Sequence, residues 1–369
     1  MKFTLLTKNF QQGLNIVKNI IGKNLNLPIL SSVLLTVKNN QINLSATNLE
    51  IGINYFGLGN IEQEGKVAVP VKIFSDFISN IKDEKINFNL KDNILNIQTD
   101  FFKTKIICFD PKDFPLIPKI KENLITVVPP KLLKNALTSV FDSVSLSQTR
   151  PELGGVFLNF DKSKIYLAST DSFRLSEKII NQNNQKSISV IVPKNTIAEL
   201  IRILSDIEKD ISIHVEENQI QFSSDNFEIL SRLIEGRYPD YQKVIPPKSI
   251  SQVLLNKEEL QNQIRLAGFF TSNINDIGLK VDRKEITVFA KSSEKGEFSS
   301  KIKNNQKPSK YEIEEPFEVL LNYNYVNDGL KNMNSENVLL EYAGEGAPVV
   351  IKPGDKELNF TYLIMPLKT

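Results

Sequence analysis

Residues 150–177 read RPELGGVFLNFDKSKIYLASTDSFRLSE, and the fold turns on this stretch. Two runs of alternating character flank a polar turn at Asp161–Lys164. In KIYLAST, Ile165 and Leu167 point one way and Tyr166 and Ala168 the other, which predicts a half-buried strand pair. The stretch ends in Thr170-Asp171-Ser172-Phe173-Arg174-Leu175, with two hydroxyls, a carboxylate and a guanidinium crowded together. Taken alone, that cluster suits a hydrolase. However, the layout recurs at Pro28–Ile53, PILSSVLLTVKNNQINLSATNLEIGI. Pro28 matches Pro151, Val33 matches Val156, and Thr47-Asn48 matches Thr170-Asp171, each 123 residues apart. The echo replaces the carboxylate with an amide, so the Thr reads as a strand-end feature of a repeat rather than a nucleophile.

Working outward, the offset holds elsewhere. Lys8 matches Lys131, and Val69-Pro70 matches Val192-Pro193, while Phe114-Pro115 matches Tyr238-Pro239 at 124. A weaker third copy follows: LLNKEELQNQIRLAG at 254–268 parallels PPKLLKNALTSV, and Gly278-Leu279 stands 123 residues after Gly155-Val156. Several matches in one order at a near-constant offset indicate a repeated domain. The copies are expected at 1–122, 123–248 and 249–369, with connectors rich in Pro and Lys between them. Each copy halves again into a strand, a helix and further strands. Apolar residues at Leu14, Val17 and Ile21 mark a helix face, and polar pairs such as Asn39-Asn40 and Asp92-Asn93 suit hairpins. The expected class is α+β, with two helices per copy packed on antiparallel sheets.

Composition narrows the function. The 369 residues are 41% hydrophobic and 24% charged, so the chain is globular. Lys+Arg 45 against Asp+Glu 43 gives +2, with no basic coat and no acidic tail. One cysteine, Cys108, and one histidine, His214, exclude a disulfide framework and a Cys/His zinc site. Both lie in strand-like runs and read as structural, and the lone His is far from Thr170–Ser172, which weighs against hydrolysis. No metal and no cofactor are expected. No apolar run reaches the ~20 residues of a membrane helix, so no membrane partner and a cytoplasmic location are expected.

Six similar modules in a row suit a solenoid or a closed ring. Were helices to line a ring, Lys72, Lys131, Lys134, Lys194 and Arg202 would face its hole and suit a DNA duplex. The same charges also suit ordinary solvated helix faces. A repeat scaffold that binds proteins without DNA is a further alternative.

The motifs MKFT, LPILSSVLL, ATNLEI, VIVP before a helix, TDSFRL, GRYPDY and YLIMPLK occur in an order that resembles the β subunit of bacterial DNA polymerase III, the sliding clamp family. The resemblance runs over essentially the whole chain. It implies a head-to-tail homodimeric ring of clamp-fold domains that encircles double-stranded DNA without reading sequence and has no chemistry of its own. It also implies a pocket between the second and third copies for short linear motifs. Expected partners are the polymerase III alpha subunit, the clamp loader delta subunit, other DNA polymerases, and mismatch-repair and ligase proteins. By resemblance the pocket uses Leu153, Thr170, Ser172, Phe173, Arg174, Leu175, Pro239, Val244, Asn322, Tyr325, Leu363, Met365, Pro366, Leu367 and Lys368. Lys23 and Asn24 would touch DNA. The dimer contact would pair edge strands at Lys103–Phe109 and Gly296–Ile302, with Lys103, Ile106, Phe269, Phe270 and Phe298. Phe173 stands where many members carry His or Tyr, and Lys243 and Lys368 stand where some carry Arg, which removes bidentate contacts there.

Overall fold

In a computed structural model, each of the six helices among the described residues follows a strand, directly in five cases and after Pro129 in the other. The structure describes residues 1–20, 27–120, 123–283, 285–303 and 313–368. The helices are α1 (Thr7–Val17), α2 (Val71–Ser79), α3 (Pro130–Phe141), α4 (Lys194–Ile203), α5 (Lys257–Gly268) and α6 (Tyr323–Lys331). Their apolar spacing decides which face is buried: Val71, Phe74 and Ile78 of α2 recur at helical period and all face the core. Capping differs among them. Asn256 takes the Glu259 amide at the start of α5 (2.9 Å), and Asn322 takes those of Asn324 and Tyr325 at the start of α6 (3.0 and 3.4 Å). The first helix is shorter than its periodicity predicts and tightens into a 3₁₀ turn at Lys18–Ile20.

The strands form four sheets, and every ladder between them is antiparallel. The chain divides into two compact units. The first is Met1–Lys134 with Asn195–Leu233, and the second is Asn135–Lys194 with Ile234–Thr369. The sequence pattern suggests six separate half-units, but strands of neighbouring copies pair and merge their sheets. In the first unit, strand Phe227–Arg232 pairs with Ile51–Leu58 to complete an eight-stranded sheet. In the second, strand Arg174–Asn181 pairs with Phe360–Ile364 and closes another eight-stranded sheet. An open edge leaves backbone groups unpaired, and pairing across copies satisfies them.

Two of the edge strands bear on assembly. Lys103–Ile107 ends a five-stranded sheet in the first unit, and Gly296–Lys303 ends a four-stranded sheet in the second. The first unit has an aromatic core in which Phe88 stacks on Phe3 (4.7 Å) and meets Phe10 edge-on (5.2 Å). In the second, α5 and α6 bury Leu260, Ile264, Val326 and Leu330 among strand residues such as Ile277, Val288 and Tyr362. Gly329 is required there, because a Cβ would come within 2.4 Å of the Tyr362 ring. No helix among the described residues is long and apolar enough to cross a membrane.

Candidate partner-binding groove

The residues that looked catalytic build a turn. Thr170 Oγ1 donates to the Arg174 carbonyl (2.6 Å) and accepts from the Ser172 amide (3.1 Å). Asp171 Oδ1 accepts from the amides of Phe173 and Arg174, each at 3.0 Å. The first copy repeats this. Thr47 Oγ1 donates to the Ile51 carbonyl (2.9 Å), and Asn48 Oδ1 takes the amides of Glu50 and Ile51 (3.0 and 2.8 Å). Ser172 and Leu49 even share the left-handed backbone, at φ of +79° and +76°. An amide serves this turn as well as a carboxylate, so hydroxyl and acid are spent on structure.

In the second copy the turn delivers side chains to an apolar floor. Leu153, Leu175 and Leu363 are buried together with Ala168, Ile191, Tyr238, Tyr241 and Val350. Met365 packs against this cluster half-buried, while Phe173 and Val244 are exposed. The chain end is pinned across it: the Met365 amide donates to the Phe173 carbonyl and the Leu367 amide to the Leu320 carbonyl, both at 2.8 Å. Met365, Pro366 and Leu367 are half-buried and Lys368 is exposed.

On the other side stands α6. Asn322 caps it and also donates to the Ile274 carbonyl (3.3 Å). The Tyr325 ring lies 4.5 Å under the Arg174 guanidinium, and Tyr362 donates to the Tyr325 carbonyl (2.8 Å). Burial raises the Tyr325 phenol above its usual range, as do Asp171 and Asp328, against the pull of Arg174. Pro239 is half-buried in the connector that also supplies Tyr238 and Tyr241.

Several members of this constellation escape a reading of the sequence. Phe157 stacks on Tyr238 (4.8 Å), and Tyr241 donates to the buried Glu177 (2.7 Å). Burial drives both tyrosines well above the usual phenol range, and for Tyr241 the Glu177 carboxylate adds to it. Both tyrosines lie in the GRYPDY motif, which the sequence offers only as a family resemblance. Asp328, which holds Arg174 together with Asp171, gave no signal in the sequence. A hollow of about 360 Å³ lined by Pro246, Pro247 and Lys352 adjoins the floor at Val350. A larger one of about 700 Å³, over Leu339, Lys352 and Phe360, contains none of the predicted pocket residues.

Other predicted site residues fare unevenly. Lys72 and Lys131 are exposed, and Lys134 is half-buried. The Lys194 amine lies 5.1 Å over the Phe141 ring and reaches the Val144 carbonyl (3.5 Å), and burial lowers its pKa. The Arg202 guanidinium pairs with Glu199 (2.8 Å) and caps the end of α1 through the carbonyls of Asn15 and Ile16 (both 2.8 Å). Neither is a free cation on a helix face. Lys23 and Asn24 lie outside the described residues.

On the open edge of the first unit, Lys103 is exposed but Ile106 is only 4% exposed, and it is Ile107, at 79%, that faces out. The pleat sends adjacent residues to opposite faces, so the Ile106 side chain packs in its own core and Ile107 is the one presented at the edge. On the second unit Phe269 is 72% exposed, whereas Phe270 stacks on Phe298 (5.9 Å) and both pack against the core. Among the described residues no three Asp, Glu, His or Cys side chains cluster as metal ligands.

Three family models match in series: the DNA polymerase III beta subunit N-terminal domain at residues 1–118, its central domain at 127–240 and its C-terminal domain at 242–368. Beta sliding clamps of Staphylococcus aureus and Staphylococcus epidermidis are 28% and 26% identical, with each alignment covering the whole of both chains. A solved structure of a putative DNA polymerase III beta subunit from Eubacterium rectale is 26% identical with a TM-score of 0.92, covering 100% of both chains. The sliding clamp of Bacillus subtilis has the same fold, with a TM-score of 0.93 at 24% identity over 100% of this chain and 99% of that one. The triplicated copies, the strands paired between them and these matches in order along the chain establish that it belongs to the family of bacterial DNA polymerase III beta subunits, the sliding clamps.

Proposed function

We propose that the floor of Leu153, Leu175 and Leu363, rimmed by Phe173, Val244 and Met365, receives Leu and Phe side chains of short extended segments in partner proteins. As a member of its family, the chain is a non-catalytic processivity factor of DNA replication. Such a factor needs one reusable dock for many proteins. An apolar floor with few fixed polar groups suits extended peptides of varied sequence, and the flexible Met365 thioether adapts to each. The observation that carries this reading is the pinned chain end, because the paired amides of Met365 and Leu367 hold an apolar tail as one wall of the groove. The polymerase III alpha subunit, the clamp loader delta subunit, other polymerases and mismatch-repair and ligase proteins would share it.

Duplex DNA would be held by encirclement. A clamp must slide, so it needs few phosphate contacts, and the net charge of +2 fits that requirement. Lys72 and Lys131 remain exposed for weak contacts. Two copies would close by joining the open edge at Lys103–Ile107 to that at Gly296–Lys303, which would also cover Ile107 and Phe269. The copies at 1–122, 123–248 and 249–369 would be its domains, working in the cytoplasm.

A labelled Leu- and Phe-bearing peptide from the polymerase alpha subunit, titrated with the chain, tests the dock. Saturable binding that an unlabelled copy displaces is expected. Absence of binding up to millimolar chain would overturn it.

A further inference from the structure

We infer that Asp328 is a positioning residue of this groove, setting the Tyr325 wall by holding Arg174 against it. The inference rests on the proposed peptide dock. The Arg174 guanidinium lies at the start of strand Arg174–Asn181, opposite Ile364, where the last strand passes into the pinned tail. Its side chain is 12% exposed and two carboxylates hold it. Nε donates to Asp171 Oδ2 at 2.9 Å, from within the same turn, and Nη1 to Asp328 Oδ2 at 2.5 Å, from α6. Tyr325 stands one helical turn before Asp328, so the ring and the carboxylate bracket the guanidinium from one face of α6.

Each contact constrains a different freedom. Asp171 fixes where Arg174 leaves its strand. The cation over the Tyr325 ring resists rotation of that ring, while the Tyr325 backbone is already held by the Asn322 cap and the Tyr362 hydroxyl. Only the ring remains adjustable, and Asp328 governs it through Arg174. A half-buried guanidinium left with one carboxylate seeks another acceptor, and its planar fork then leaves the ring. The consequence for the dock is particular: its floor is apolar, yet affinity for an uncharged Leu/Phe peptide depends on the Asp328 carboxylate, which lies outside the expected pocket residues and acts through Arg174.

The test uses the full chain and the labelled alpha-subunit peptide, with Asp328→Asn, Asp328→Glu, Arg174→Lys and the double variant Arg174→Lys/Asp328→Asn. Asp328→Asn is expected to weaken the peptide roughly tenfold. Asp328→Glu, which keeps the charge, restores affinity to within about threefold, a rescue that mere loss of packing would not produce. The double variant loses no more than the worse single one, since both act through one contact. Melting temperature and oligomeric state are recorded for every variant. Wild-type affinity in a well-folded Asp328→Asn, or additive losses in the double variant, overturns the inference while leaving the dock standing. A wild-type chain that binds no peptide overturns both.

Discussion

Met365 donates its backbone amide to the carbonyl of Phe173 at 2.8 Å, which ties the chain end to the turn that opens strand Arg174–Asn181. The bond joins two stretches 192 residues apart in sequence, by subtraction of their numbers, and makes the tail a wall rather than a loose end. Truncation after Ile364 removes this wall without touching the edge strands Lys103–Ile107 and Gly296–Lys303. Peptide affinity should fall at least about tenfold, as for loss of an apolar anchor, while sedimentation shows the oligomeric state unchanged. Unaltered affinity in the truncated chain would count against the groove.

Ile106 and Ile107 are neighbours with opposite fates, 4% and 79% exposed. Ile107→Asp should yield monomers in dilute solution with the melting temperature of each protomer little changed. Ile106→Ala should instead destabilise the first unit by about 2–5 kcal/mol, the range for a truncated core side chain. Phe269→Ala should behave like the Ile107 variant, and Phe270→Ala like the Ile106 variant. Denaturant melts with sedimentation separate the two classes, and a stable dimer of Ile107→Asp would refute the edge-pairing account.

That pair shows how far the sequence could be read. Offsets of 123 residues revealed the copies, and helical periodicity placed six helices, because both signals lie in the order and spacing of residue types along the chain. The fusion of sheets across copies was hidden, since strand Phe227–Arg232 carries no mark that its partner is Ile51–Leu58. In KIIC, two adjacent apolar residues leave alternation undecided, so only the pairing register with Ile94–Gln98 tells which Ile is inside. The groove was legible where a family motif ran through it, at Arg174 and Met365. It was not legible at Asp328 or Phe157, which only the fold brings there.

Arg202 ties α4 to the end of α1 through the carbonyls of Asn15 and Ile16. Arg202→Ala should therefore cost about 2 kcal/mol of stability, typical for lost charge-assisted hydrogen bonds. Its effect on salt-dependent DNA association should be small, whereas Lys131→Ala should change that association with little loss of stability. A reversed pattern, measured by thermal melts and binding across a salt series, would make Arg202 a DNA contact rather than a tie between helices.

Burial pushes the Cys108 thiol up to about 11 from 9.0, outweighing a stabilising backbone contact. Between those values the folded chain keeps a proton that the unfolded chain has lost, so stability falls as pH rises from 9 towards 11. Cys108→Ala should flatten that part of the pH–stability curve, though its smaller side chain lowers stability at neutral pH. The native thiol should also resist alkylation at pH 8, where the unfolded chain reacts readily. Rapid native labelling would show that the site is open.

Retention on DNA of different topology addresses the central claim most directly. The full chain, loaded with its clamp loader onto nicked circular duplex, should stay bound through a high-salt wash and leave when one cut linearises the circle. Salt removes phosphate contacts but not a closed ring. Equal retention on circular and linear DNA, or release from the circle by salt alone, would contradict encirclement.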